Sequence, residues 1–334
     1  MKSEKKVKKF LKEINPKDRI ALLVHDDFDG FVSGMFLYDF CKKKKCKNIE
    51  VFIFKINKTK IKKGELNKFN KILITDIEPI FLKEIFRNCR DKKVLYIDHH
   101  EKSLQCPKHI LEYRNKKISS ASKIINDLFL GEKNDKEFLE ISSQITDSGF
   151  KFKENLSMLE PFLRKYKFNL EQLKDKLFKV PYFMRYFESK NKLKKAFEIF
   201  KDIKTIDDVK RVERYSDKIE KEIDLLVDKY KIEKEKFGKI NFFYFKSKFK
   251  ITSFSLDKIG DKKPDDVFIF ATPIEDRIRL SVRSQNTNTN MVKLLKKVTK
   301  DMKGTSIGGH MHTAGGTIVR KDLKKFKENL KRVF

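Results

Sequence analysis

Histidines are concentrated at a few points of this sequence, in positions suited to bind metal or to move protons. Five of the six lie in three places: His25, the adjacent pair His99 and His100, and the pair His310 and His312. A lone histidine at a strand end is more often structural than catalytic. An adjacent pair directly after an aspartate, as in "IDHHEK", is harder to explain by structure alone.

Aspartates follow the apolar runs of the first half in the same way. Asp27 and Asp29 follow "RIALLVH", Asp76 ends "KILITD", Asp98 ends "KVLYID", and Asp147 lies in "ITDSGF", after a predicted helix. Each aspartate alone is explained by a turn or a helix cap. Gathered at one sheet edge, these carboxylates would repel one another unless a cation lies between them. Oxygen and imidazole ligands suit Mn²⁺ or a similar ion, and two ions about 3.5–4 Å apart form the usual clamp for phosphoryl transfer.

The elements that would position these residues form an α/β pattern. Short apolar runs predict strands at 19–25, 51–56, 71–76 and 93–98, and the segments between them, such as 31–45 and 79–90, predict helices. Continuous apolar strands with helical connections are typical of a parallel sheet that is covered on both faces. Ligands bind at the carboxyl ends of the strands in such sheets, which is where the histidines and aspartates fall.

The second half of the chain changes character. Long Lys- and Glu-rich segments with helical spacing predict a helical connector over 151–235. Strands are predicted at 239–245, 266–271 and 277–284, a helix at 291–302, and a glycine-rich stretch follows at 304–316. We therefore expect an N-terminal catalytic domain (1–150), the connector (151–235) and a smaller α/β domain (236–334). Taken alone, the glycine-rich stretch would be a loop between strands.

Charge and composition limit the classes of partner. The chain of 334 residues has 79 Lys and Arg against 48 Asp and Glu, a net charge of +31, which attracts polyanions, nucleic acid first and anionic membrane second. It contains no apolar run long enough for a membrane span, which needs about 18 residues. The N-terminus indicates a basic amphipathic helix, without the features of a signal peptide. Four cysteines without CxxC spacing predict reduced thiols and a cytoplasmic protein.

Five motifs in order resemble one known family. The stretches "HDDFDG", "TDIEP", "DHHEK" and "ITDSG" resemble the four motifs of the DHH phosphoesterase superfamily. The stretches "RIRLSVRS" and "GGHMHTAGG" resemble its associated C-terminal substrate-binding domain. The resemblance spans residues 25 to 316, and it is strongest to the archaeal RecJ-like and oligoribonuclease-like branch.

The resemblance implies roles for individual residues. The first metal ion would be held by His25, Asp27 and Asp76, and the second by Asp29, Asp76, His99 and Asp147. The catalytic residues would be His100, at the scissile phosphate, and Asp98, which would orient a histidine. Substrate phosphate would be bound by Arg283, Gly308, Gly309 and His310. Asp26 has no counterpart in the family, and the alternation of the motif predicts that it turns away from the site.

The function that follows is a metal-dependent phosphodiesterase. The resemblance implies a hydrolase with two Mn²⁺ ions, which Mg²⁺ or Co²⁺ could replace, acting through an activated water molecule. We expect an exonuclease that degrades single-stranded DNA or RNA, or short oligonucleotides, to mononucleotides, with replication or repair proteins as further partners. Two alternatives stay open: a phosphoesterase for a cyclic dinucleotide or a nucleotide 3′-phosphate, and a non-catalytic scaffold of replication or repair with the same fold.

Overall fold

The computed structural model describes most of the chain, in two compact units. The described residues are 2–56, 58–62, 64–100, 104–115, 117–118, 120–129, 137–148, 153–260, 266–284, 290–309 and 311–333. The units are Met1–Arg214 and Tyr215–Phe334.

The first unit contains five strands and most of the helices. Its strands are β1 (Arg19–His25), β2 (Asn48–Phe54), β3 (Lys71–Thr75), β4 (Lys93–Asp98) and β5 (Ile110–Arg114). Its helices are α1 (Lys2–Lys12), α2 (Phe28–Lys43), α3 (Lys83–Asn88), α4 (Ala121–Phe129), α5 (Glu137–Ser148), α6 (Lys153–Tyr166), α7 (Leu170–Ser189) and α8 (Leu193–Phe200), followed by α9 (Lys210–Glu233), within which the division between the units falls. Short 3₁₀ turns occupy Pro79–Phe81 and Ile206–Val209.

All strand pairs in the first unit are parallel. The order is β2-β1-β3-β4-β5. Strand β2 therefore lies on one side of β1, and β3, β4 and β5 follow in turn on its other side. The point where the strand order reverses therefore lies between the carboxyl ends of β1 and β3. In open parallel sheets this position forms the ligand crevice.

Both faces of this sheet are buried, and alternate residues of a strand serve opposite faces. Leu23 belongs to a cluster that includes Ile85 and Phe86 of α3. Its neighbour Val24 lies against α2, where an added Cβ at Gly34 would come within 2.3 Å of the Val24 Cγ1 atom. Helix α2 thus packs closely on β1, and the close approach fixes the helix that carries the first acidic motif.

Helices from the middle of the chain complete the first unit. Phe197 of α8 packs edge-on against Phe31 of α2, with ring centroids 5.6 Å apart. The Oγ atom of Ser142 in α5 donates to the carbonyl oxygen of Leu177 in α7, at 3.2 Å. These contacts join α2 to α8 and α5 to α7.

The second unit is a mixed sheet with helices. Its elements are β6 (Glu235–Phe237), β7 (Ile240–Tyr244), α10 (Thr252–Gly260), β8 (Val267–Ile274), β9 (Arg277–Ser284), α11 (Met291–Val298), β10 (Ser306–Gly309), β11 (Thr313–Val319) and α12 (Leu323–Val333). The sheet order is β10-β11-β9-β8-β7-β6, in which only β7 and β8 pair in parallel. One core joins the sheet to α11 and α12 through residues such as Leu280, Leu295 and Phe326.

The predicted fold class is confirmed. The apolar runs form β1 to β4 and β7 to β9, and the basic N-terminal helix is α1. The edge strand β5 and the hairpin of β10 and β11 were not predicted, and α5 is longer than predicted, since the helix continues through Asp147 to Ser148. Among the described residues, no helix combines the length and the apolar character needed to cross a membrane.

The contact at Gly34 predicts an unusual response to alanine. In an exposed helix, Gly→Ala stabilises by about 1 kcal/mol, but Gly34→Ala would overpack β1, and overpacking costs about 1–3 kcal/mol. We expect a lower thermal midpoint for Gly34→Ala by circular dichroism. Gly308→Ala is the control, because an added Cβ there meets nothing within 4 Å. A raised midpoint for Gly34→Ala would contradict the close packing.

Candidate metal centre

The predicted ligands of the first unit come together at the carboxyl edge of the parallel sheet. His25 is the last residue of β1, and Asp27 is the N-cap of α2, where its Oδ1 atom accepts from the Gly30 backbone N–H at 2.9 Å. Asp76 follows β3, and Asp98 ends β4 immediately before His99 and His100. The sheet therefore collects on one edge residues that are far apart in the sequence.

One group of possible ligands consists of His25, Asp27 and Asp76, whose ligand atoms all lie within 4.8 Å of one another. The His25 Nδ1 atom is 2.6 Å from Asp27 Oδ2 and 3.8 Å from Asp76 Oδ2. This is the set that the resemblance implies for the first ion.

A second group consists of Asp76, Asp98, His99 and His100, again within 4.8 Å. The Asp76 Oδ1 atom lies 3.3 Å from His99 Nε2 and 3.9 Å from His100 Nδ1. Asp76 therefore belongs to both groups, with one carboxylate oxygen turned to each. A bridging ligand between two ions needs this arrangement.

The backbone of Asp76 is held in an uncommon conformation. Its φ is +60°, in the left-handed region, where aspartate and asparagine are tolerated better than most residues. Its N–H donates to the Ile97 carbonyl oxygen at 3.1 Å. The conformation costs on the order of 1 kcal/mol, and it turns the buried carboxylate into the site.

Asp98 orients His100 through a short chain of hydrogen bonds. The Tyr96 hydroxyl donates to Asp98 Oδ2 at 2.5 Å, and His100 Nδ1 lies 2.7 Å from Asp98 Oδ1. With its proton on Nδ1, His100 presents Nε2 away from Asp98. Tyr96 was not predicted. Its spacing could have indicated it, because Tyr96, Asp98 and His100 are alternate residues and alternate residues of a strand point to the same face.

The two adjacent histidines have opposite electrostatic environments. Burial lowers the pKa of His99, which favours the neutral imidazole that a metal ion requires. Burial would also lower the pKa of His100, but the hydrogen bond and the charge of Asp98 outweigh it and raise the pKa. The neighbours are thus suited to different tasks, one to bind a cation and the other to carry a proton towards an anion.

Asp29 is enclosed by hydrogen-bond donors from α4 and α5. It is completely buried, and its oxygens accept hydrogen bonds from the Ala121 and Ser122 backbone N–H groups and from the Ser143 hydroxyl. Its Oδ2 atom is 3.7 Å from His99 Nε2. It therefore borders the second group, and its role as a ligand stays a prediction.

The expectation for Asp26 is wrong. Its carboxylate does not turn away from the site, because Asp26 Oδ1 lies 3.5 Å from His25 Nε2. Strand alternation ends at His25, and the chain between β1 and α2 forms a bend, so Asp26 follows neither the strand nor the helix pattern.

The donor set fits a divalent cation. Asp29, Asp76 and Asp98 are each 1% exposed or less, so three carboxyl groups are held together in a region poor in water. Such a cluster is costly without a nearby positive charge, and carboxylate oxygens with imidazole nitrogens are ligands of divalent metal ions. The arrangement supports a divalent metal cofactor at this edge of the sheet.

In the second unit, Arg283 is paired with an acid. It lies near the end of β9, and its guanidinium forms an ion pair with Asp257 of α10. Asp257 was not predicted, because no motif marks it.

The two predicted glycines form part of a hairpin. Gly308 and Gly309 end β10, which pairs with β11. Gly309 has φ +124°, and an added Cβ would lie 2.4 Å from the Thr313 carbonyl oxygen, so the turn requires glycine there. Next to Gly308 the space is open. The predicted residue His310 and the side chain of Asp147 lie outside the described part of the structure.

Two family models match the chain. The model described as the DHH family, N-terminal domain, matches residues 19–148, and the model described as the DHHA1 domain matches residues 240–334. The chain belongs to the DHH phosphoesterase superfamily, which confirms the resemblance of the motifs.

Solved structures show the same fold. Manganese-bound RecJ from Thermus thermophilus has 14% identity and a TM-score of 0.69; the match covers 100% of this chain and 55% of that one, so this chain spans about half its length. A structure described as exonuclease RecJ bound to manganese has 14% identity and a TM-score of 0.67, with 99% and 94% covered. An exopolyphosphatase-related protein from Bacteroides fragilis has 14% identity and a TM-score of 0.56, with 99% and 96% covered. No curated protein sequence matches the chain.

A buried acid next to the site predicts a pH effect on stability. Glu140 of α5 is 5% exposed, and burial raises its pKa from 4.5 to about 7. Between these values the folded chain binds more protons than the unfolded chain, so the free energy of unfolding falls as the pH rises through this window. In Glu140→Gln, the decrease of the free energy of unfolding with rising pH should be smaller than in the parent by on the order of 1–3 kcal/mol.

Chemical denaturation at pH 5 and pH 8 measures the effect. Glu137→Gln, on the same helix but in a surface pair with Lys165, is the matched control and should keep the pH dependence of the parent. An unchanged fall in Glu140→Gln would show that Glu140 is ionised in the folded protein at neutral pH.

Proposed function

We propose that this member of the superfamily is a metal-dependent exonuclease that hydrolyses single-stranded DNA or RNA, or short oligonucleotides, to mononucleotides. The observation that carries the proposal is the sharing of Asp76 between two adjacent groups of possible ligands. Two ligand groups with one bridging carboxylate are the arrangement that two-metal phosphoryl transfer uses.

The predicted residues have three roles in this function, which are metal binding, proton donation and phosphate binding. His25, Asp27 and Asp76 would hold one ion, and Asp29, Asp76, His99 and Asp147 the other. Divalent ions bound there would lower the pKa of a water molecule and neutralise charge on the phosphate. His100, whose Nδ1 atom lies 2.7 Å from Asp98 Oδ1, would in its doubly protonated form donate from Nε2 and support the leaving oxygen. In the second unit, Arg283, Gly308, Gly309 and His310 would bind substrate phosphate.

A nucleic acid strand is favoured as substrate by charge. The net charge of +31 on 334 residues raises the local concentration of polyanions, and a polymer gains more from it than a small anion does. The similarity to exonuclease RecJ bound to manganese supports the same substrate class and Mn²⁺, with Mg²⁺ or Co²⁺ as substitutes. We also propose that the protein is cytoplasmic and that replication or repair proteins are its partners.

A small phosphorylated substrate is the second candidate, and the similarity to an exopolyphosphatase-related protein favours it. Turnover of a labelled dinucleotide compared with a strand of about 20 nucleotides separates the two, because a strand offers many phosphates to a basic protein and a dinucleotide does not. DNA and RNA strands labelled at either end then give the sugar preference and the direction of degradation. A non-catalytic scaffold would bind no divalent ion, which calorimetry measures directly.

Asp76→Asn tests the centre. Asparagine also tolerates the left-handed backbone of Asp76, so the fold is kept while the bridging charge is lost. We expect at least an approximately 100-fold loss of Mn²⁺-dependent turnover of a labelled single strand, since even residues that only orient metal ligands contribute about 10–100-fold. Asp91→Asn, at an exposed pair with Lys92, is the control. Equal turnover in the two variants would exclude Asp76 from the centre.

A further inference from the structure

Three donors from two separate helices converge on the Asp29 carboxylate. The Ala121 N–H donates to Oδ2 at 2.6 Å, and the Ser122 N–H donates to Oδ1 at 3.0 Å, both from the first turn of α4. The Ser143 hydroxyl of α5 donates to Oδ1 at 2.6 Å. Oδ1 therefore has two donors, while Oδ2 has one and faces His99 Nε2 at 3.7 Å. The carboxylate is locked with Oδ2 towards the second ligand group.

The Ser143 hydroxyl is itself held by a row of buried hydroxyl groups. Ser122 Oγ donates to Ser143 Oγ at 2.9 Å, and Ser120 Oγ lies 3.1 Å from Ser122 Oγ. All three serines are completely buried. Because each hydroxyl both donates and accepts, the donation of Ser122 directs the proton of Ser143 at Asp29. The row therefore fixes the direction of the last bond.

Ser143 also connects helices α2 and α5, which carry two of the predicted ligands of the second ion. Asp29 lies in the first turn of α2, and Ser143 lies in α5 four residues before Asp147, so positions 143 and 147 fall on the same face of that helix. A shift of α5 along α2 would break the bond from Ser143 and move the backbone of Asp147 together with it.

We infer that Ser143 is a positioning residue, which aims the Asp29 carboxylate at the second metal ion and sets α5 against α2. The inference rests on the proposed function, because it takes Asp29 and Asp147 as ligands of that ion. Ser143 does not contact the ion or the substrate. It acts through Asp29, as hydrogen-bond partners of metal ligands generally do.

Ser142, the residue next to Ser143, is a matched control for a purely structural role of Ser143. Ser142 is 1% exposed, on the same helix, and its hydroxyl donates to the Leu177 carbonyl oxygen of α7 rather than to Asp29. Ser142→Ala and Ser143→Ala each remove one buried hydroxyl from α5. A structural role predicts equal effects on stability and none on metal binding for both variants.

The experiment is calorimetric titration of Mn²⁺ into the full chain and its variants, with thermal midpoints recorded for each. We expect Ser143→Ala to weaken one of two Mn²⁺ binding events by about 10–100-fold and to leave the other unchanged. Ser122→Ala, which removes only the support for Ser143, should weaken the same event by a smaller factor. Ser142→Ala should bind like the parent.

The outcomes separate this inference from the proposed function. If the parent binds no Mn²⁺, the proposed metal centre fails and the inference falls with it. If the parent binds and Ser143→Ala matches Ser142→Ala, only the positioning role of Ser143 is wrong. An equal weakening of both binding events in Ser143→Ala would also overturn it, because Asp29, to which the hydroxyl donates, is the predicted ligand of one ion.

Discussion

Confined negative charge at one sheet edge is the constraint on which the rest of this structure depends. Asp29, Asp76 and Asp98 are buried, and each has a carboxylate oxygen close to a ring nitrogen of His25, His99 or His100. Carboxylates in a region of low dielectric repel one another and lose their hydration, so each must be compensated locally. The surrounding elements provide that compensation, and in doing so they fix the directions of these three carboxylates.

Each carboxylate is compensated by a different device. Asp29 accepts from the first turn of α4, where the backbone N–H groups carry partial positive charge, and from Ser143. Asp98 has Tyr96 on one oxygen and His100 on the other. Asp76 instead divides its oxygens between His25 and His99. The first two are oriented mainly by hydrogen bonds, whereas Asp76 lies between the rings of His25 and His99, where the proposed function needs a bridging ligand.

The extent to which the sequence predicts this site follows from how local each interaction is. Strands β1, β3 and β4 are buried on both faces, so their continuous apolar runs predicted them from the sequence. The parallel topology then predicted that the residues at their carboxyl ends lie together. Strand β5 is only partly buried after its first residue, so "ILEYR" lacked the apolar run. Ser143 could not be found at all. Its partner Asp29 is 114 residues away, and the backbone donors of α4 leave no trace in residue type.

The second unit also holds a cationic group through an acidic partner. Arg283 was expected to grip phosphate, and it is bound to Asp257 of α10 with 20% of its side chain exposed. A guanidinium carries five donors in a planar fork, so a carboxylate can occupy one edge while another edge stays directed at solvent. A lysine in the same position would lack this second edge. In both units a basic side chain is therefore paired with an aspartate, His100 with Asp98 and Arg283 with Asp257.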